Sequence, residues 1–401
     1  MAFISGARWF FFLHCLAFAF AGVIPNVHQL ASRETAADNA TYDAIIVGGG
    51  PAGLSALSGL SRVQRKALLF DSGEYRNAPT RNMHDVIGND GTPPSAFRAL
   101  ARKQILGTYN KTASIKDVKV QSITPIGNGS LFSVTDVQGN TYTAKKIVLG
   151  TGMKDDLPAT PGIEDAWGKG MYWCPWCDGY EHRDQPLGVL GPLPDVLSSV
   201  YEVHTLNTDI IALVNGTQTP EQEEAARQKN PKFFEILQAY NVTIENRTIA
   251  SIERLQDGSK DNDPSTHEQF DKFRVHFTDG GSVDRGAFLT NFPSSQRSTL
   301  PAQLELKMQG NKIYADVNSA RTSLKGVWLL EMPTAMEVPM SRMRCTAERS
   351  LPFTSMWKSR ARKRSLWSRS AGCFRRGSWR KMRGNALAMI SMTCGKKLRL
   401  L

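Results

Sequence analysis

The body of this 401-residue chain is short of cysteine, which rules out most structural uses of that residue. Of the six cysteines, Cys15 lies in an N-terminal apolar run, and Cys345, Cys373 and Cys394 lie in the last sixty residues. Only Cys174 and Cys177 stand between, so a disulfide scaffold is excluded. The body has no second Cys-x-x-Cys pair, and His182 alone cannot complete a four-ligand zinc site. Repeats of short period are absent as well.

Excess positive charge is equally scarce outside the tail. The net charge is +12, but residues 342–401 hold 17 Lys/Arg against one acid, Glu348. The other 341 residues hold 32 bases and 36 acids. A slightly acidic body gives no electrostatic case for nucleic acid.

The N-terminal apolar run, residues 9–21, follows Arg8 and ends on Ala19-Phe20-Ala21. It is short for a membrane span, which needs about 20 residues. It fits a secretory signal peptide over residues 1–21, cleaved before Gly22; an N-terminal membrane anchor is the alternative. Asn-x-Ser/Thr triplets at Asn39, Asn110, Asn128, Asn215, Asn241 and Asn246 agree with a secreted glycoprotein that keeps no membrane attachment after cleavage.

The length suits about two domains. Residues 43–47 are an apolar run ending in glycines, a helix is expected from Ala52, and a second apolar run, 67–70, ends at Asp71. This is a βαβ unit. Residues 72–93 lack apolar period and read as a long functional loop. A helix near 94–106 and strands near 118–123, 131–137, 142–144 and 147–149 follow. A second α/β set, about 160–285, has strands near 187–190, 210–214 and 273–277, a helix near 195–201 and helices after Pro220. The expected fold is α/β: two doubly wound, three-layer dinucleotide-binding-like domains, the second inserted into the first. The expected limits are 42–157 and 288–328 for the first domain, with the second at 158–287.

The segment Ile45-Ile46-Val47-Gly48-Gly49-Gly50-Pro51-Ala52-Gly53 is a G-x-G-x-x-G fingerprint after a strand and at a helix start. Gly48 permits the tight turn, Gly50 lets backbone approach a pyrophosphate, and Gly53 lets helix pack on strand. The helix N-terminus then offers free N–H groups to phosphates. Asp71, at the end of the next strand, stands where a carboxylate accepts ribose hydroxyls. In Cys174-Pro175-Trp176-Cys177-Asp178, two intervening residues let both sulfurs share one helical turn, where a helix start depresses a thiol pKa. A purely structural disulfide is the alternative.

Glycine loop and cysteine pair, in this order and separation, resemble the low-molecular-weight thioredoxin reductases, and more closely their fungal relatives, the secreted sulfhydryl oxidases and the dithiol oxidases of epidithio-metabolite pathways. The shared residues are Gly50-Pro51-Ala52-Gly53, Asp71-Ser72-Gly73-Glu74-Tyr75-Arg76-Asn77, Met83-His84, Gly88-x-Asp90-Gly91, Gly150-Thr151-Gly152, 174–181 and Thr322-Ser323-x-x-Gly326-Val327-Trp328. The resemblance covers roughly residues 42–328. It implies FAD, with Gly50, Pro51, Ala52 and Gly53 at the pyrophosphate. Asp71, Ser72, Gly73, Glu74, Tyr75 and Arg76 would line the adenosine side, with Val120 near the adenine. His84 would lie close to the flavin, or else be a satisfied loop histidine. Cys177 would face the flavin and Cys174 would exchange with substrate thiols. Asp178 would shuttle protons to the cysteines, or else cap a helix. The resemblance also implies a homodimer.

Two departures bear on function. NADPH-using relatives carry a second G-x-G-x-x-G in the inserted domain, whereas this chain reads Gly188-Val189-Leu190-Gly191-Pro192-Leu193-Pro194-Asp195, with no Arg in 200–215. This favours an oxidase of small-molecule or protein thiols that hands electrons to O2, over an NADPH-dependent disulfide reductase. The family also continues after Gly-Val-Trp with Val-Gly-Asp-Ala, whose Asp binds the FAD ribityl chain; here Leu329-Leu330-Glu331-Met332 follows. A shifted reading of suitable codons restores Val-Gly-Asp-Ala, so residues 329–401 read as an out-of-frame basic tail. A genuine basic interaction tail is the rival, and a flavin fold that has lost activity is the remaining alternative.

Overall fold

A computed structural model describes residues 42–316 and 318–330. The expected signal peptide, Asn39 and nearly all of the basic tail lie outside the described residues. Two five-stranded parallel sheets organise the described part. In the first, the order is Val327–Leu329, Ile147–Leu149, Ala44–Val47, Ala67–Phe70, Ala113–Lys116. All of its pairings are parallel. Ala44–Val47 and Ala67–Phe70 are buried at every position, as strands covered on both faces must be. The chain leaves Ala44–Val47 to one side for Ala67–Phe70 and returns on the other side for Ile147–Leu149. A crevice therefore opens where these strands end, at the switch in strand order.

The second sheet runs Thr243–Glu245, Ile210–Leu213, Leu187–Leu190, Ala287–Thr290, Met171–Tyr172, again all parallel. Each parallel sheet is accompanied by a three-stranded antiparallel one: Val120–Ile126, Leu131–Asp136 and Thr141–Ala144 in the first lobe, Ile249–Gln256, Lys272–Phe277 and Ser282–Arg285 in the second. The chain crosses between lobes on two antiparallel segments, Met153–Asp155 outward and Ser294–Gln296 back. The return lies beyond residue 287 because Ala287–Thr290, fully buried, is the strand that completes the second sheet beside Leu187–Leu190. Ala113–Lys116 is only four residues long, with Ile115 as its one large apolar side chain, and it is a strand because it covers the edge of Ala67–Phe70. Among the described residues, no helix is long and apolar enough to cross a membrane.

Candidate active site

The helix Pro51–Arg62 starts directly after the first strand, with Pro51 at its first position and Gly50 as an N-cap that makes no side-chain bond. Its first N–H groups have no capping side chain, and no acid occupies its first turn. The turn before it is possible only with glycine at two points. Gly48 has φ +119°, and a Cβ there would lie 2.0 Å from the Gly150 carbonyl oxygen. A Cβ on Gly53 would lie 1.8 Å from the Gly48 carbonyl oxygen. Gly50 is different: a Cβ there meets nothing within 4 Å, because the space before it is open.

That space is a cavity of about 400 Å³. Gly48, Gly50, Pro51 and Ala52 line one part of it, and Ser72, Glu74, Tyr75, Arg76 and Val120 a second. His84, Gly152, Trp173, Cys177 and Asp178 line the remainder. The structure thus brings the glycine loop and one cysteine to a single cavity across the two lobes. A buried polar atom with no hydrogen-bond partner, Thr151 Oγ1, also belongs to its lining. A phosphate-ready helix start, a turn that only glycine can make and an unsatisfied buried hydroxyl together fit a dinucleotide such as FAD.

Four of the residues singled out from the sequence do not line this cavity. Gly53 lies behind the loop, where it seats the helix. Gly73 supplies a backbone N–H to Asp71 Oδ1 at 2.9 Å. Asp71 itself is buried, and its Oδ2 accepts from the Tyr75 hydroxyl at 2.7 Å and from Arg102 at 3.0 Å. Its carboxylate is engaged internally and pins Tyr75, which does line the cavity. Burial and the Asp71 hydrogen bond push the Tyr75 phenol up. Cys174 is the fourth. It is joined to Cys177 in a disulfide, with Cα atoms 5.2 Å apart, and caps the short helix Pro175–Asp178 that carries Cys177. Arg76, which lines the cavity, pairs with Asp155, and its guanidinium sits 5.1 Å from the Trp173 ring centroid.

Asp178 follows Cys177 in the same turn. Burial pushes its carboxyl up to about 7, helped by repulsion from Glu181 and opposed by His182 and Arg81. Glu181 is buried, its Oε2 has no partner, and its Oε1 lies 3.4 Å from His84 Nδ1. His182, almost fully buried, places Nδ1 2.8 Å from the Asp178 carbonyl oxygen and Nε2 3.1 Å from Asp271 Oδ2. Asp271 is fully buried. Burial opposes its ionisation, yet hydrogen bonds from His182 and Arg81 hold it well below the usual carboxylate range. Sequence reasoning passed over Trp173, Arg81 and Asp271. The run Gly179-Tyr180-Glu181-His182 after the cysteine pair was the one signal available, since an acid and a histidine there have no core to serve.

A family model described as pyridine nucleotide-disulphide oxidoreductase matches residues 42–330. A protein of Arthroderma benhamiae described as "Probable thioredoxin reductase" is 54% identical over 297 residues, which span 72% of this chain and 73% of the relative. "Thioredoxin reductase aclD" of Aspergillus oryzae is 34% identical over 294 residues, 71% of this chain and 86% of the relative. The crystal structure of HlmI is 28% identical, covers 72% of this chain and 83% of that one, and superposes with a TM-score of 0.60. The chain therefore belongs to the pyridine nucleotide-disulphide oxidoreductase family, as a thioredoxin-reductase-like FAD oxidoreductase that acts on sulfur groups.

Proposed function

We propose that the protein is a dithiol oxidase that passes electrons from substrate thiols through Cys174 and Cys177 to FAD and on to O2. The observation that carries this reading is that Cys177, but not Cys174, lines the cavity shared with the glycine loop and His84. A substrate thiolate attacks Cys174 Sγ, breaking the Cys174–Cys177 bond and leaving Cys177 as thiolate. The second substrate thiol displaces Cys174 from the mixed disulfide, so substrate leaves oxidised and the enzyme keeps two reduced sulfurs. Bound FAD would supply a two-electron acceptor that reoxidises the pair, with O2 leaving as hydrogen peroxide. Gly48, Gly50 and the start of helix Pro51–Arg62 would hold its pyrophosphate.

Asp178 accepts the proton released as the substrate thiol attacks and returns it to the departing Cys174 sulfur. With its carboxyl near 7, it is ionised above that pH and ready to accept; below it, the site is already protonated. The rate of flavin reduction by dithiol should therefore rise with pH through about 7. Asp178→Asn should flatten that step and slow the reaction about 10²-fold. Stopped-flow rates measured between pH 5.5 and 8.5 check this; an unchanged profile in the variant removes Asp178 from the proton path.

The second lobe supports O2 over NADPH as redox partner. Between residues 192 and 195, Pro192 and Pro194 have no N–H at all. The Leu193 N–H donates to the Thr217 hydroxyl at 3.0 Å, and the Asp195 N–H to the Pro192 carbonyl at 3.0 Å. This loop offers a phosphate no free donor. A Cβ on Gly188 would lie 2.5 Å from the Phe288 ring, so that glycine serves strand packing. Stopped-flow mixing separates the partners: dithiol should bleach the flavin absorbance and NADPH should not, with oxygen uptake following dithiol addition. Bleaching by NADPH at a comparable rate would make the protein a disulfide reductase instead.

A secreted location fits the N-terminal apolar run and the exposed triplets at Asn110, Asn128, Asn215 and Asn241. The family match ends at residue 330, beside the point where a shifted reading frame restores Val-Gly-Asp-Ala. Leu330 lines the cavity there.

A further inference from the structure

Resting on the dithiol-oxidase reading, we infer that Arg81 is a positioning residue: its guanidinium clamps the loop of the first lobe to the second and so holds Cys177 against the flavin cavity. Arg81 stands on the long loop after Asp71, three residues before His84. Its four hydrogen bonds all go to the other lobe. Nη1 donates to Asp271 Oδ2 and to Gln269 Oε1, both at 2.7 Å. Nη2 donates to Asp257 Oδ1 at 2.6 Å and to Asp271 Oδ1 at 2.9 Å. A planar fork bound this way fixes direction as well as distance, which a lysine cannot reproduce. The loop is seated beside the clamp as well. A Cβ on Gly168 of the second lobe would lie 2.9 Å from the backbone of Pro79 and Thr80, so only glycine allows the approach.

From Asp271 the contact continues to the sulfurs. Asp271 also accepts from Arg254 and from the Gly258 N–H, which fixes it within its own lobe. Its Oδ2 faces His182 Nε2 at 3.1 Å, and His182 Nδ1 faces the carbonyl oxygen of Asp178 at 2.8 Å. Asp178 ends the four-residue helix on which Cys177 sits. Asn207 grips the His182 carbonyl at 2.8 Å, so the imidazole has little freedom to follow a moving partner. His84, further along the same loop, meets Glu181 in the same turn as His182. The loop that walls the cavity is thus tied twice to the turn following the cysteine pair, and Arg81 carries the stronger tie. No residue of the clamp touches the reacting sulfurs, so its effect is on their placement. Electron transfer between Cys177 and a flavin requires near contact, and misplacement by about 1 Å can cost about 10²-fold.

The test uses the full-length flavoprotein, reduced with a phosphine and pulsed with iodoacetamide, with peptide mapping of each cysteine. In the native protein Cys177 should label more slowly than Cys174, because it faces the cavity. Arg81→Gln should raise Cys177 labelling severalfold and slow flavin bleaching by dithiol about tenfold, with the flavin-to-protein ratio unchanged. Arg81→Lys should recover part of both effects. Arg274→Gln, which breaks the Arg274–Asp284 pair inside one hairpin, should change neither. If Arg81→Gln does not fold, Asp257→Asn removes a single, half-exposed arm and should give a smaller change in the same direction. Native labelling and bleaching in whichever of these variants folds would overturn the clamp. If dithiol fails to bleach the native protein, the oxidase reading falls, while the labelling comparison still decides the clamp.

Discussion

Replacing Cys177 by serine is expected to abolish reduction of the flavin by dithiol, a loss of more than about 10³-fold, while the protein stays folded and yellow. The two halves of this expectation have separate grounds. Serine is close to cysteine in size, and the ring closed by Cys174 and Cys177 is small, with a sequence separation of 3. A cross-link closing so short a loop stabilises by only about 2 kcal/mol, because little chain entropy is removed. The flavin cradle is built from the other lobe and loses no contact except one sulfur at its edge. Activity has no such reserve. A serine hydroxyl neither forms a disulfide nor carries electrons, and no other cysteine occurs among the described residues. Cys174→Ser makes the companion case: Cys177 still faces the cavity, but the exchange with substrate loses its outer sulfur. Anaerobic stopped-flow at the flavin band checks both. A Cys177→Ser protein that turns over at the native rate would place the chemistry elsewhere.

Gly53→Ala should yield a protein that has lost its flavin. The added Cβ would lie 1.8 Å from the Gly48 carbonyl oxygen and 3.0 Å from the Gly48 carbonyl carbon. Both are backbone atoms of the turn, so neither can step aside as a side chain would. The helix must tilt away from the strand, and its first N–H groups then no longer converge on the space before Gly50. Overpacking of this kind costs about 1–3 kcal/mol of stability. The loss of phosphate alignment should weaken FAD binding by about 10²-fold or more. Gly59 supplies the control within the same helix: it is exposed, and a Cβ there meets nothing within 4 Å. Gly59→Ala should keep its colour and gain about 0.5–1 kcal/mol, since alanine gives up less backbone freedom in a helix. The ratio of flavin to protein absorbance and the thermal midpoints of the two variants check the contrast. A yellow Gly53→Ala protein would mean that helix placement does not govern the cradle.

The parts of this site that could be read in the sequence are those made by short stretches of chain. A strand, a glycine turn and a helix start occupy consecutive residues, so spacing alone brought Gly48, Gly50 and Gly53 into view. The cysteine pair was visible for the same reason. Asp71 shows the limit. Its position after the second strand was readable, but its engagement by Arg102 depends on a helix 31 residues further on, and that contact has no local signature. The strand Ala113–Lys116 was hidden because its pairing, and not its composition, makes it a strand. The boundary expected between residues 287 and 288 cuts the strand Ala287–Thr290, because a buried parallel strand looks alike in either sheet. The Arg81 clamp was least legible of all. Arg81, Asp257, Asp271 and His182 lie far apart in the chain, and each alone reads as an ordinary surface charge or loop residue.

The electronic contact between the sulfur couple and the flavin can be read from the visible spectrum of the purified protein under anaerobic conditions, with a dithiol such as dithiothreitol added in steps. The oxidised flavin band should be present at the start, fall to completion within a few equivalents of dithiol, and return with its full height when air is admitted. A protein that carries flavin but keeps its oxidised band unchanged in excess dithiol would contradict the contact between Cys177 and the cofactor on which this account stands.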